Sequence, residues 1–215
     1  MSRLTDEPPI NRQLFSRGAA ADALRLLERD DSPEGKVLAA EAAFRAAEDA
    51  PGEWRPLDRA VEAAEAATQA APGSGGAHFW LGVSLTARAR AHGLWALLRS
   101  AGRIRDELET AARLDPAFQQ GAPLAALCSL YHHAPRPPLS FGDAARSAAL
   151  CRQALAVDPA NYEAHVTLAE QARKAGDRTM ARAHLAAVLE AQDPERPRTL
   201  AAYVARATKI AEDLR

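Results

Sequence analysis

Histidines are the residues of this sequence with the widest scope for chemistry. Six occur in 215 residues, and one adjacent pair, His132–His133, lies at the start of a Pro-rich segment that ends at Pro138. Because adjacent residues of a helix point about 100° apart, we expect this pair not to chelate a single metal ion. His78 and His165 occupy matching positions in two similar segments. We expect both to pack where an aromatic side chain usually sits, with contact to a ligand as the alternative.

Recognisable catalytic motifs are absent from the sequence. It contains no HExxH, P-loop, GxSxG or dinucleotide-binding glycine pattern. Its two cysteines, Cys128 and Cys151, form no CxxC pair, so a zinc site built on cysteine is not expected. Each lies on the apolar side of a predicted helix and is expected to be a small buried core residue, with a disulfide between them as an open alternative. We therefore predict a non-catalytic protein without a metal or a cofactor.

Aromatic side chains make up only 5% of the chain, and three of them, Phe79, Trp80 and Trp95, lie near one another in the sequence. One interpretation is a plug in the local core. The other is an apolar patch that docks a partner segment, because Trp and Tyr dominate the energetics of protein interfaces. Tyr131 is a fourth candidate anchor for such a segment.

A band of arginines covers two adjacent predicted helices. It consists of Arg88, Arg90, Arg99, Arg103 and Arg105. Such a band is typical of a solvated surface paired with acids such as Asp106 and Glu109, but it also fits a clamp for an acidic peptide tail, because Arg binds carboxylates bidentately. The candidate partner-binding residues are Phe79, Trp80, Arg88, Trp95, Arg99, Arg103, Tyr131, His132 and His165.

The composition restricts the class of protein. Hydrophobic residues make up 47% of the chain, many of them Ala, which suits a thin core of closely packed helices. The formal net charge of −1 does not favour nucleic acid or an anionic membrane as a partner. No apolar run reaches the about 18 residues of a membrane span. The polar, acidic start lacks the apolar core of a signal peptide, so we expect a cytoplasmic protein, or a periplasmic one if a signal sequence has been removed.

The periodicity of apolar residues predicts an all-α chain. A flexible arm at 1–10 precedes a helical repeat domain at 11–197 and a capping helix at 198–215. Gly82 lies in the middle of a predicted helix, where a glycine indicates a close crossing with a neighbouring helix. The predicted helices cover 11–29, 33–49, 54–70, 77–92, 94–114, 122–134, 142–157, 161–175, 177–191 and 198–214.

A repeat organises the C-terminal half of the sequence. Gly142–Asp143 and Gly176–Asp177 are 34 residues apart, and Asp158–Pro159 and Asp193–Pro194 are 35 apart. A period of this length indicates stacked helix pairs. The unit 162–194 resembles a tetratricopeptide repeat (TPR), with small residues where its helices cross and large ones between units. The resemblance implies an α-solenoid of about four antiparallel helix pairs, with the clearest units at 77–116, 122–159 and 161–194.

A longer series of motifs is more specific than the repeat. It runs through Ala77–Gly82, Leu114–Pro123, Leu130–Pro135 and Phe141–Asp143. In this order the motifs resemble the T-component family of TRAP-type transport systems and, more distantly, the regulator-of-microtubule-dynamics family. Similarity to the T-component implies a helical-repeat accessory protein that engages a solute-binding protein.

The sequence therefore favours a scaffold that binds a protein segment, acidic if the arginines select it, on the concave face of the stack. A first alternative is a transport-accessory protein whose stack forms a homo-oligomer and encloses a path for a small ligand. A second alternative is an enzyme, which the missing catalytic constellation disfavours. Neither nucleic-acid binding nor membrane insertion is expected.

Overall fold

The computed structural model describes residues 20–50, 53, 55–192 and 197–214. The predicted arm at 1–10, the first part of the predicted helix 11–29 and the predicted closing pair Asp193–Pro194 lie outside these residues. Within them the chain forms ten helices and no strand. The helices are α1 (Ala20–Leu27), α2 (Pro33–Glu48), α3 (Arg55–Ala70), α4 (Gly75–Ala91), α5 (Leu94–Leu114), α6 (Phe118–His133), α7 (Ala144–Val157), α8 (Tyr162–Lys174), α9 (Arg178–Leu189) and α10 (Pro197–Glu212).

The helices stack as antiparallel pairs. The pairs are α2–α3, α4–α5, α6–α7 and α8–α9, and α10 covers the last of them. The even-numbered helices from α2 to α10 contact one another in order and form an inner row, while α3, α5, α7 and α9 form an outer row. This arrangement confirms the predicted all-α, TPR-like solenoid of about four helix pairs followed by a capping helix.

Polar residues fix where several helices begin. The Ser32 hydroxyl accepts a hydrogen bond from the backbone N–H of Gly35, and Pro33 occupies the first turn of α2. The carboxylate of Asp143 accepts bonds from two backbone N–H groups of α7. Asn161 caps α8 in the same manner. Each cap satisfies backbone donors that the first turn of a helix leaves free.

Small residues let the two helices of a pair approach closely. A Cβ added to Gly82 of α4 would lie 2.7 Å from Cδ2 of Leu108 on α5, so the predicted close crossing at this glycine is confirmed. Leu108 is itself buried in the largest core cluster. Many of the other buried core residues are alanines, which is why a chain with few aromatics can still build a continuous interior.

The start of α6 differs from the prediction. The helix was expected from residue 122, but helical bonding begins at Phe118 and passes through a kink in which Gln119, Gln120 and Gly121 have φ of 42°, 62° and 80°. These left-handed conformations reorient the chain between α5 and α6. Apart from the start of the predicted helix 11–29, which lies outside the described residues, the other helix bounds lie within about three residues of the expected ones, as is normal for frayed helix ends.

Cys128 of α6 and Cys151 of α7 are bonded as a disulfide, with 5.2 Å between their Cα atoms. Both residues are fully buried. The structure thus confirms that both cysteines are buried and shows the disulfide between them, which the sequence analysis left as an alternative. Among the described residues, no helix combines the length and the apolar character that a bilayer span requires.

Candidate functional site

Three of the four predicted aromatic anchors lie in the core. Phe79, Trp80 and Tyr131 are 7%, 3% and 3% exposed. The rings of Phe79 and Trp80 pack edge to face, with 5.0 Å between their centroids. Phe79 and Trp80 therefore fill the local core, which was one of the two interpretations of the sequence, and a partner cannot reach them in this conformation.

Trp95 is the exception among the predicted aromatics. It is 79% exposed, and Leu94 beside it is 65% exposed. Both follow Gly93, whose φ of 90° turns the chain from α4 into α5 in a conformation that favours glycine. The turn places two apolar side chains in solvent at one tip of the longest helix pair.

Some arginines of the predicted band form ion pairs with acids on a neighbouring helix, and others do not. Arg88 lies 3.7 Å from Asp58, and Arg103 lies 2.7 Å from Glu65, both on the neighbouring α3. These two arginines join helix pairs rather than stand free. Arg99 is exposed, and its side chain forms no ion pair with any residue that the structure describes.

His165 and His78 have equivalent structural roles. His165 Nε2 is 2.9 Å from the carbonyl oxygen of Pro159, and His78 Nε2 is 3.0 Å from that of Pro72. The Nδ1 atom of each ring contacts the outer helix of its own pair, at His184 for His165. The matching positions in the sequence thus correspond to a repeated contact that holds the loop before an inner helix.

A cleft of about 500 Å³ lies where α5, α6 and α7 meet the Pro-rich loop. Three arginines line it: Arg105 from α5, Arg136 from the loop and Arg146 from the first turn of α7. The rings of Tyr131 and Phe141 form part of its wall and pack edge to face at 5.3 Å. We call this site the arginine cleft.

Two of the three guanidinium groups in the arginine cleft are held in position. The Arg105 group lies 4.9 Å from the ring centroid of Phe141, and the Arg146 group lies 4.5 Å from that of Tyr131, distances typical of cation–π contacts. Arg146 also donates to Glu109 at 2.7 Å. Arg136, in contrast, is exposed, and its side chain has no hydrogen bond or ion pair within the described part of the chain.

Tyr131 connects the cleft to the core. Its hydroxyl donates to Glu109 at 2.7 Å. Burial raises the pKa of Tyr131 to about 12, and the hydrogen bond to Glu109 contributes to the increase, because both disfavour the phenolate. The phenol therefore stays neutral at physiological pH and fixes the Glu109 carboxylate that also orients Arg146.

A second polar cluster lies on the inner row. Arg206 of α10 donates to Glu163 at 2.9 Å and to Glu170 at 3.3 Å, both on α8. His132 and His133 at the end of α6 approach the other oxygen of Glu170, with Nε2–Oε2 distances of 3.2 and 3.3 Å. The two adjacent histidines thus converge on one carboxylate, which corrects the expectation that they would diverge. Rotation about the side-chain bonds overcomes the angle between their Cα–Cβ directions.

The pKa shifts of this cluster follow from its contacts. Burial alone would raise the pKa of Glu170, but hydrogen bonds from His132 and His133 and the charge of Arg206 hold it well below its usual range. The hydrogen bond to Glu170 raises the pKa of His133. The cluster is therefore a set of paired charges rather than free ones.

Tyr203 of α10 lies beside this cluster, with its ring centroid 6.0 Å from the Arg206 guanidinium group. Burial raises the pKa of Tyr203, and the charge of Glu163 and a hydrogen bond to Glu163 raise it further.

The sequence did not indicate the arginine cleft. Arg136 and Arg146 lie on either side of the motif Phe141–Asp143, but that motif did not indicate that their side chains converge with Arg105. The Pro-rich segment that ends at Pro138 was the available signal, because prolines restrict the backbone of a loop and with it the directions of its side chains. Glu170 carried no signal that linked it to His132–His133.

Stacked antiparallel helix pairs with small residues at their crossings define a TPR-like α-solenoid protein. Within that class the sequence is more specific. The chain belongs to the TRAP transporter T-component family (TAtT), whose model matches residues 37–214. This confirms the resemblance inferred from the ordered motifs.

Solved structures agree with this fold. The crystal structure of TTC0263, a thermophilic TPR protein of Thermus thermophilus, is similar to the chain with a TM-score of 0.66 and 21% sequence identity over 91% of this chain and 94% of that one. A crystal structure of MamA is similar with a TM-score of 0.53 and 14% identity over 96% and 97% of the two chains. No curated protein matches the sequence.

Proposed function

We propose that this protein is a non-catalytic scaffold that binds an acidic segment of a protein partner in the arginine cleft. The observation that carries the proposal is the convergence of Arg105, Arg136 and Arg146 on one open cleft with an aromatic wall. Guanidinium groups bind carboxylates through two parallel hydrogen bonds, and aromatic rings pack against the aliphatic part of a peptide. The TPR-like fold is itself typical of proteins that bind other proteins.

The three arginines differ in how they contribute to binding. Arg105 and Arg146 are preoriented by rings and acids, so little side-chain entropy is lost when a ligand binds to them. Arg136 brings a charge that no described acid neutralises. A carboxylate that binds to Arg136 therefore does not have to compete with an existing ion pair.

The arginine cleft suits this role better than the concave inner row does. Glu163, Glu170 and Arg206 on the inner row already pair with one another, so a guest segment would have to displace these contacts. Exposed Trp95 and Arg99 near the tip of α5 remain predicted contacts for a longer partner. They are accessible, in contrast to Phe79 and Trp80.

A synthetic acidic peptide tests the proposal directly. We expect a fluorescein-labelled hexaglutamate peptide to bind the wild-type protein in a fluorescence anisotropy titration, and binding to weaken as NaCl is raised. Arg136→Glu should weaken binding by about tenfold or more, because it replaces a charge-assisted hydrogen bond worth about 1.5–3 kcal/mol with repulsion.

The matched control is Arg152→Glu. Arg152 is exposed on α7 and lies outside the cleft, so this variant makes the same change in net charge without altering the site. It should bind the peptide within about twofold of the wild type, as expected for a distant surface charge in salt. Equal weakening by both variants would show that the peptide senses only overall charge, and the proposal would fail.

A second candidate function is a transport-accessory role. The observation that favours it is the family match over residues 37–214. The disulfide Cys128–Cys151 is consistent with a periplasmic location, because structural disulfides persist in oxidising compartments. In this role the stack engages a solute-binding protein and assembles into an oligomer around a small-ligand path.

Co-expression separates the two candidates. The solute-binding protein of a TRAP system from the same genome would be purified with this chain, and the complex sized by light scattering. A complex of defined stoichiometry supports the accessory role, whereas a monomer that ignores the solute-binding protein contradicts it.

A further inference from the structure

We propose that His132, His133 and Glu170 form a binding site for a divalent transition metal ion of the Zn²⁺ class. The three residues come from the end of α6 and the second half of α8, and each offers one ligand atom, all within 4.8 Å of one another. The site lies on the inner row and is separate from the arginine cleft. It adds a function that binding of an acidic segment does not require.

Two of the three distances between the ligand atoms match tetrahedral coordination. Glu170 Oε2 lies 3.2 Å from His132 Nε2 and 3.3 Å from His133 Nε2. Ligands about 2.0–2.1 Å from a zinc ion at tetrahedral angles are about 3.3–3.4 Å apart. The two nitrogen–oxygen edges of the site therefore have the required length, and only the two imidazoles must move closer to each other.

The hydrogen bonds of the two rings direct their Nε2 atoms to the site. His133 Nδ1 donates to the carbonyl oxygen of Ser129 at 2.8 Å, which reserves Nε2 for another partner. This is the outer contact that metal-binding imidazoles use to fix their tautomer. Lys174 Nζ also lies 3.2 Å from His132 Nε2. Because an ammonium group can only donate, Nε2 accepts from Lys174 only when it carries no proton, whereas its hydrogen bond to Glu170 requires that proton.

In the metal-free protein, protons on the Nε2 atoms lie between the two rings and Glu170 Oε2. Once these protons are released, the two nitrogen atoms and the carboxylate oxygen are three Lewis bases that converge on one point. A divalent ion replaces protons at such a site, because its ligands bind in their deprotonated forms. The binding step releases those protons and forms three metal–ligand bonds, with no change in oxidation state.

Burial and accessibility also fit a metal site. The His132 side chain is 4% exposed and that of Glu170 is 17% exposed, whereas His133 is 41% exposed. Two ligands are thus preorganised and the third is open to solvent, which leaves an entry path and a fourth position for water. Imidazole nitrogen atoms favour Zn²⁺, Co²⁺ or Ni²⁺ over Mg²⁺ and Ca²⁺, which prefer oxygen ligands.

Two cationic side chains near the site affect metal binding to different extents. Arg206 donates to Oε1 of Glu170, so it leaves Oε2 free and orients the carboxylate as an outer partner would. Lys174 occupies the position of the metal more directly, but it is exposed, and its flexible stem lets the ammonium group move into solvent. Lys174 is therefore a competitor that metal binding displaces.

A Co²⁺ titration of the full-length protein, with any polyhistidine tag removed, tests the site. We expect one equivalent of Co²⁺ to produce the visible absorption bands of a tetrahedral ion, and Zn²⁺ to abolish them by displacement. Lys174→Ala should tighten Zn²⁺ binding, measured by competition with a chromophoric chelator. His133→Gln should weaken it by at least about tenfold, since even the loss of an outer partner costs 10–100-fold.

His92→Gln is the matched control, because it makes the same substitution at an exposed histidine of the α4–α5 turn. It should leave Zn²⁺ affinity unchanged. Circular dichroism melts would show that His133→Gln, at a partly exposed position, keeps its helical fold. Absence of a visible Co²⁺ spectrum, or equal weakening by the two glutamine variants, would overturn the proposal.

Discussion

At the scale of single residues, the space around a side chain decides which substitutions a position tolerates. Gly82 and Gly102 illustrate this, since both lie inside helices of the same pair. A Cβ at Gly82 would meet Cδ2 and Cγ of Leu108 at 2.7 Å, whereas a Cβ at Gly102 has no neighbour within 4 Å. The same substitution should therefore have opposite effects at the two glycines.

We expect Gly82→Ala to lower the free energy of unfolding by about 1–2 kcal/mol, because overpacking against a buried Leu outweighs the gain in helix propensity. Gly102→Ala should raise it by about 0.5–1 kcal/mol, since only the propensity gain remains. Urea unfolding followed by circular dichroism measures both. Stabilisation by both substitutions would show that the crossing of α4 and α5 is looser than described.

The pair His165–His184 makes stability depend on pH. The Nδ1 atoms of the two rings are 3.0 Å apart. Burial lowers the pKa of His184, and the neighbouring His165 lowers it further. A histidine whose folded pKa lies below its unfolded value binds its proton more readily in the unfolded state, so stability falls as pH drops below about 6.5 and stops falling once pH is below the folded pKa.

Replacing His184 by Gln should remove this dependence. We expect the wild type to lose more unfolding free energy than His184→Gln between pH 7.5 and pH 5, as measured by urea unfolding at each pH. His92→Gln, at an exposed position, serves as the control and should follow the wild type. If His184→Gln also follows the wild type, another group controls the acid response.

At the scale of helices, the pair α6–α7 carries both the disulfide and the arginine cleft. Cys128 and Cys151 are separated by 23 residues. Closing a loop of this length stabilises the folded state by about 3 kcal/mol in the chain-entropy model. The bond therefore fixes α7, and with it Arg146, against α6.

Reduction of this disulfide should lower the free energy of unfolding by about 3 kcal/mol. Urea unfolding with and without a phosphine reductant measures the change. The double variant Cys128→Ser, Cys151→Ser provides the control and should be insensitive to the reductant. If the reductant does not change the unfolding midpoint of the wild-type protein, the disulfide does not stabilise the contact between the two helices.

The elements show which parts of the structure a sequence can predict. The helix pairs were predictable because Asp–Pro and Gly–Asp breaks recur with the period of the stack, and the crossing at Gly82 could be inferred from one residue. The kink at Gln119–Gly121 was not, since two glutamines carry no signal for a left-handed conformation. The long-range contact of His132–His133 with Glu170 depends on side-chain rotation, which helix geometry alone does not specify.

At the scale of the whole molecule, the family and the fold agree with the sequence prediction, whereas the proposed binding site differs from the predicted one. The motifs at Ala77–Gly82 and Leu114–Pro123 identified the T-component family correctly from the sequence. Phe79 and Trp80, two of the predicted anchors, lie instead in an alanine-rich core that contains few large side chains. The arginine cleft depends on a loop between α6 and α7 that packs against α5, and no local pattern encodes such a contact.

Hydrogen–deuterium exchange of the protein with and without the hexaglutamate peptide tests the central claim most directly. Backbone amides that a ligand covers exchange more slowly, so the site of protection locates the bound segment. We predict that the peptide slows exchange in 131–146, the loop and helix start around Arg136, and leaves α8 on the inner row unchanged. Protection confined to the inner row, or no protection at saturating peptide, would contradict the arginine cleft as the binding site.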